Sequence, residues 1–202
     1  MKSYLSKDIE KMEKRFRANF INSLSGFKSL NLVGTISDDG QTNLAPISSV
    51  IHVGATPPLV GMLIRPNTVP RDTLKNIEDT GVWTINHVNE NIFKQAHQCS
   101  ARYAANESEF KATGLTEEFN QIKAPFVKES NVKMGLSLIE RYDVRANGTH
   151  FIIGQIIEIY LPEKSIEEDG SLNIEDNGTI TVSGLFNYHR TSHIEKLPYA
   201  KA

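Results

Sequence analysis

Between residues 6 and 24 the apolar side chains Ile9, Met12, Phe16, Phe20 and Leu24 recur at steps of three and four, with charged residues filling the intervals. That spacing puts them on one face of an α-helix and predicts an amphipathic helix within residues 1–26, ending near Gly26. The pattern then shortens. Residues 30–36 form an apolar run, Ser37-Asp38-Asp39-Gly40 breaks it, and a second run covers 43–53. An Asp-Gly step between two such runs signals a hairpin. A third run, Leu59 to Ile64, follows the rigid Pro57-Pro58 pair and stops at Arg65-Pro66. The three read as consecutive barrel strands.

Pro70 stands just before Asp72-Thr73-Leu74-Lys75-Asn76-Ile77, which suits the first turn of a short helix, and Gly81 ends it before strand character resumes over residues 82–86. Asn89 is placed to cap a further helix carrying Ile92, Phe93 and Ala96, whereas residues 101–121 are mixed, irregular or helical. Residues 132–144 and 149–161 are rich in β-branched side chains, and Asn147-Gly148 between them is a strong hairpin signal. An acidic, turn-rich stretch at 163–177 precedes a last short strand over 179–186 and a polar tail, 187–202. Six or seven strands with interposed helices predict a mainly β fold with flanking helices, an antiparallel barrel formed as one domain over residues 1–202.

Composition narrows the function classes. With 202 residues, 39% of them hydrophobic, the chain can bury a sizeable core. A net charge of -2 leaves no basic excess for binding nucleic acid. No apolar run approaches the roughly 18 residues of a membrane span, and no apolar leader precedes Lys7, so a cytoplasmic protein is expected. Cys99 is the only cysteine, which rules out an intrachain disulfide and reads as a small core residue rather than a nucleophile. The sequence carries no GxGxxG or P-loop motif.

Two clusters carry candidate chemistry. In Asn43-Leu44-Ala45-Pro46-Ile47-Ser48-Ser49 a strand is interrupted by proline and followed by paired hydroxyls. Such a strand leaves backbone N–H groups without ladder partners, which a flat heteroaromatic with carbonyl and nitrogen acceptors can take up. An edge strand guarded by its proline is the competing reading. Arg65-Pro66-Asn67-Thr68-Val69-Pro70-Arg71-Asp72-Thr73 sets two guanidiniums and two hydroxyls around a helix start, where free N–H groups and the dipole favour a phosphate. Here the alternative is that Asp72 caps the helix and pairs with an arginine.

As an ordered set, residues 43–49, 57–60, 65–77 and 81–86 resemble the flavin reductase-like family, flavoredoxins included, of the FMN-binding split-barrel superfamily. The resemblance runs from about residue 30 to the C-terminus. It implies an antiparallel split β-barrel in which the segment at 43–49 lies along the flavin ring and ribityl chain, and the segment at 65–73 holds the phosphate. Carried over by position, the cofactor-binding set is Asn43, Leu44, Ala45, Pro46, Ser48 and Ser49, then Arg65, Pro66, Arg71 and Thr73, with Asn86 beside the same site. His87 remains either a solvated imidazole or a flavin contact.

The resemblance further implies an NAD(P)H-dependent flavin reductase with FMN ahead of FAD as cofactor and the nicotinamide as a transient reductant. A homodimer is expected, along with a partner oxygenase as one destination for the reduced flavin. The rival within the same site is an FMN-binding carrier or storage protein without nicotinamide turnover. Because hydride transfer is the cofactors' own chemistry, no catalytic acid or base is required and no catalytic residue or metal site is assigned.

Overall fold

The structure is a computed structural model that describes residues 1–66, 72–104 and 106–201. In chain order its elements begin with helices α1 (Ser6–Glu10) and α2 (Lys14–Leu24), then strands β1 (Lys28–Ser29), β2 (Asn31–Ile36), β3 (Thr42–Ile47), β4 (Ile51–Ala55) and β5 (Pro58–Ile64). Helix α3 (Asp72–Thr80), strand β6 (Val82–His87), helices α4 (Phe93–Gln98) and α5 (Glu109–Thr113) and short strands β7 (Glu117–Glu118) and β8 (Phe126–Val127) follow. The chain ends with the long hairpin β9 (Lys133–Val144) and β10 (Thr149–Tyr160), then β11 (Thr181–Ser183) and β12 (Asn187–His189).

Seven of the strands form one antiparallel sheet in the order β3-β2-β6-β9-β10-β5-β4. Strand alternation gives it two differently covered faces. Val33, Val60, Met62, Trp83, Ile85, Leu136 and Ile152 fill the interior, closed at one end by Leu74 and Ile77 of α3. On the other face of β2 and β3, Leu32 and Leu44 pack with Ala96, Cys99 and Phe110 from α4 and α5. The predicted mainly β barrel with flanking helices is what the chain forms. Among the described residues no helix is long and apolar enough to cross a membrane.

Four expectations are corrected. The amphipathic N-terminal segment is two helices, because the Glu13 carboxylate accepts the Phe16 N–H at 2.8 Å and starts a new helix there. No residue of either helix is buried, and Phe16, Ile21 and Leu24 stand exposed. The run at 43–53 is two strands, and its break falls at Ser48, Ser49 and Val50 rather than at Pro46. Asn89 does not cap α4, whose cap position is Ile92; its amide instead accepts from the Asn91 N–H and donates to the Glu129 carbonyl. The polar tail begins later than residue 187, since residues 187–189 pair with β11.

Candidate functional site

Strand β3 is an edge of the sheet, paired only with β2 from Ile47↔Asn31 to Thr42↔Ile36. The Leu44 N–H points outward and is taken by Glu109 Oε2 at 3.0 Å. Pro46 lies two residues on, so its nitrogen faces the same outward side and the missing N–H costs no ladder bond. Glu109 is half-buried, and burial, helped by the negative charge of Asp72, holds its carboxyl above the ordinary range.

Alternation divides the predicted ring segment. Leu44 is fully buried in the helix-side core, while Asn43 and Ala45 face the barrel side and are half-buried. The Asn43 amide donates to Thr35 Oγ1 at 3.2 Å and to Thr73 Oγ1 at 3.0 Å, and Asn76 donates to the same Thr35 oxygen at 3.2 Å. These four side chains fasten the first turns of α3 to β2 and β3. Thr73 Oγ1 serves as acceptor for Asn43, and its own O–H proton has no acceptor among the described residues.

Beyond β3 the chain parts from its neighbours. The register of β4 on β5, Ile51↔Gly61, extrapolates to Ser49 opposite Leu63. There the side chain substitutes for the main chain: Ser49 Oγ donates to the Leu63 carbonyl at 2.9 Å and accepts from the Leu63 N–H at 3.2 Å. The backbone N–H groups of Ser48, Ser49 and Val50 consequently have no hydrogen-bond partner among the described residues. They border a groove of about 420 Å³ between residues 27–29, the connection at 48–51 and Leu63. That volume lies within the ordinary range of a small-ligand site.

Arg65 is exposed and pairs with no carboxylate among the described residues. It follows Leu63 on the same face of the extended chain, roughly 7 Å farther on at about 3.3 Å per residue. Pro66 is half-buried against the β9–β10 turn at Gly148. Arg71, with the rest of residues 67–71, lies outside the described residues. The structure therefore brings Asn43 and Thr73 into direct contact and sets Ser48 and Ser49 beside the groove.

Asn86 is placed differently. Its side chain is fully buried and donates to the Leu32 carbonyl at 3.0 Å and Thr84 Oγ1 at 2.9 Å, while its oxygen accepts the Val127 N–H at 3.0 Å. All its bonds are made within the protein, in a network that ties β8 to β2 and β6. His87 is also enclosed: its Nδ1 lies 3.3 Å from Thr179 Oγ1, and burial pushes its pKa down to about 4. Burial pushes the Cys99 thiol up to about 11, so it stays protonated and unreactive near neutral pH.

The sequence gave no hint of His150. It is buried opposite Ile64, with Nδ1 2.7 Å from Asp143 Oδ1, and Arg141 links that carboxylate to Glu78 of α3. Lys28 and Phe27, which line the groove, were likewise unmarked, since neither belongs to a periodic or catalytic pattern.

Residues 27–190 match the domain described as "flavin reductase like domain". A crystal structure from Shewanella frigidimarina NCIMB 400, described as a candidate flavin reductase with split barrel domain, is 49% identical over 99% of this chain and 100% of that one, with a TM-score of 0.96. Flavoredoxin of Desulfovibrio vulgaris (Miyazaki F) has the same fold at 21% identity and a TM-score of 0.76, covering 98% of each chain. An uncharacterized protein of Aquifex aeolicus (strain VF5) is 30% identical over 73% of this chain and 76% of its own length. The chain belongs to the flavin reductase-like family and is a flavin-related redox protein built on the split β-barrel.

Proposed function

We propose that the chain binds FMN and passes a hydride between NAD(P)H and the flavin. The observation that carries this reading is the row of N–H groups at Ser48, Ser49 and Val50 that have no partner among the described residues, on a connection that lines a groove together with Leu63, two residues before Arg65. A flavin's ring edge offers carbonyl and nitrogen acceptors to such donors. Asn43 would hold its ribityl chain, and Arg65, Arg71, Thr73 and the start of α3 would hold its phosphate. FMN rather than FAD matches a site that ends at a phosphate anchor.

The cofactor supplies the redox chemistry when bound. The residues of this chain position it: Ser49 holds the 48–50 connection open, Asn43 and Thr73 fix β3 against α3, and Glu109 occupies the outward N–H of the edge strand. The reading includes a homodimer, supported by Ile51 and Val53 on β4, Leu63 on β5, and Tyr142 and Val144 on β9, which all stand exposed. It also includes delivery of reduced flavin to a partner oxygenase.

The test is titration of the purified protein with FMN and with riboflavin, followed by rapid mixing of the FMN complex with NADH and with NADPH. FMN preferred over riboflavin, with bleaching of the 450 nm region of flavin absorption on mixing, is the expected result. Binding without bleaching leaves an FMN carrier, and no binding of either flavin overturns the reading.

A further inference from the structure

Among the residues that line the groove, Lys28 alone carries an ionisable side chain. Its ammonium donates to the carbonyl oxygens of Asn22 and Gly184, both at 3.2 Å, and forms no ion pair with a carboxylate among the described residues. Carbonyl oxygens hold the ammonium in place without cancelling its charge. Lys28 is thus a half-buried, fixed cation on a residue that lines the groove, and its charge reaches the groove through a lower dielectric than that of water.

The opposite wall adds to the same sign. Ser48, Ser49 and Val50 line the same groove with backbone N–H groups that have no partner among the described residues, and none of the described residues that line it is acidic. The remaining lining is serine hydroxyl or apolar: Ser29, Phe27, Ile51 and Leu63. A groove of this kind favours a ligand that gains negative charge over one that stays neutral.

We infer that Lys28 is a tuning residue of the flavin site, which stabilises the reduced, anionic flavin over the oxidised, neutral one. This rests on the FMN reading above. In that reaction the nicotinamide gives up a hydride, two electrons with one proton, and becomes the oxidised cation, while the flavin takes on one net negative charge. Lys28 and the backbone N–H groups at 48–50 offset that charge, so the bound flavin is more easily reduced than the free one.

The experiment compares wild type with Lys28→Arg and Lys28→Gln, measuring dissociation constants for oxidised and chemically reduced FMN and the midpoint potential of each complex. The amide of Lys28→Gln keeps a donor for the carbonyls and removes the charge. Its expected loss is at least tenfold greater for reduced than for oxidised FMN, a drop of about 30 mV for a two-electron couple. Lys28→Arg should match wild type within about threefold. Equal weakening of both redox forms in Lys28→Gln, or no weakening, overturns the inference and makes Lys28 a clamp on Asn22 and Gly184. Loss of all flavin binding in both variants does the same. A wild-type protein that binds neither form overturns the FMN reading instead, and is recognised before any variant is compared.

Discussion

A single hydroxyl, Ser49 Oγ, meets both the N–H and the carbonyl of Leu63, at 3.2 and 2.9 Å, and so stands in for a whole residue of strand pairing. Replacing it by alanine leaves both Leu63 groups without their partner. Each unsatisfied polar group costs about 1–3 kcal/mol when it is shielded from water. Ser49→Ala should therefore lower the denaturant midpoint and weaken FMN binding together. Unchanged stability in urea titration would show that Leu63 finds water instead.

Thr73 offers a sharper test of the phosphate anchor, because its oxygen accepts from Asn43 and its proton has no acceptor among the described residues. Thr73→Val keeps the shape and removes the donor. A hydrogen bond to a charged group contributes about 1.5–3 kcal/mol, so affinity for FMN should fall by about tenfold or more while affinity for riboflavin changes little. A parallel fall for both flavins in calorimetry would place the hydroxyl away from the phosphate.

His87 supplies a pH signature. Its pKa in the folded chain is about 4, against an ordinary value of 6.5, because burial disfavours the charged ring. Below pH 6.5 the unfolded chain binds the proton and the folded chain does not, so stability falls as pH drops toward 4 and levels off below it. The loss reaches up to about 3 kcal/mol at 1.36 kcal/mol per pKa unit. His87→Gln should flatten that part of a stability-against-pH curve measured in urea, and a curve of unchanged slope would refute the assignment.

Core packing makes a prediction independent of any ligand. A side-chain carbon on Gly154 would overlap Cη2 and Cζ2 of the Trp83 indole. Gly154→Ala is expected to cost about 1–3 kcal/mol through overpacking and to lower the thermal midpoint accordingly. Since Trp83 is fully buried, its fluorescence should report the same disturbance in the folded state.

Much of the architecture was legible because the strands advertise themselves. The alternating or continuous apolar runs at 30–36, 59–64, 132–144 and 149–161 became β2, β5, β9 and β10, each with one boundary shifted by a single residue. The interruption at 48–50 was invisible because it depends on one serine side chain finding a strand from which it is separated by 14 residues. Asn86 shows the same limit from the other direction. Its type and place beside the site suggested a ligand contact, while in the fold its side chain bonds Thr84 on its own strand and Leu32 and Val127, which lie 54 and 41 residues away. Local pattern reports periodicity and turns, whereas groups brought together by tertiary packing leave no trace in it.

The apolar outer face suggests how copies of the chain associate. Val53→Asp puts a charge at the centre of the exposed set on β4 and β5 without touching the interior core. The wild type is expected to run as a dimer in light scattering and this variant as a monomer at the same concentration. A monomeric wild type would remove the homodimer from the proposal.

The Glu109 carboxylate on the Leu44 N–H bears on a different contact, strand addition at the edges of the sheet. Of the two edges of the seven-stranded sheet, it plugs β3, while among the described residues no side chain takes the outer main chain of β4. Two molecules that join through β4 leave only plugged edges facing outward, so strand addition closes after one isologous pair and cannot propagate into a filament.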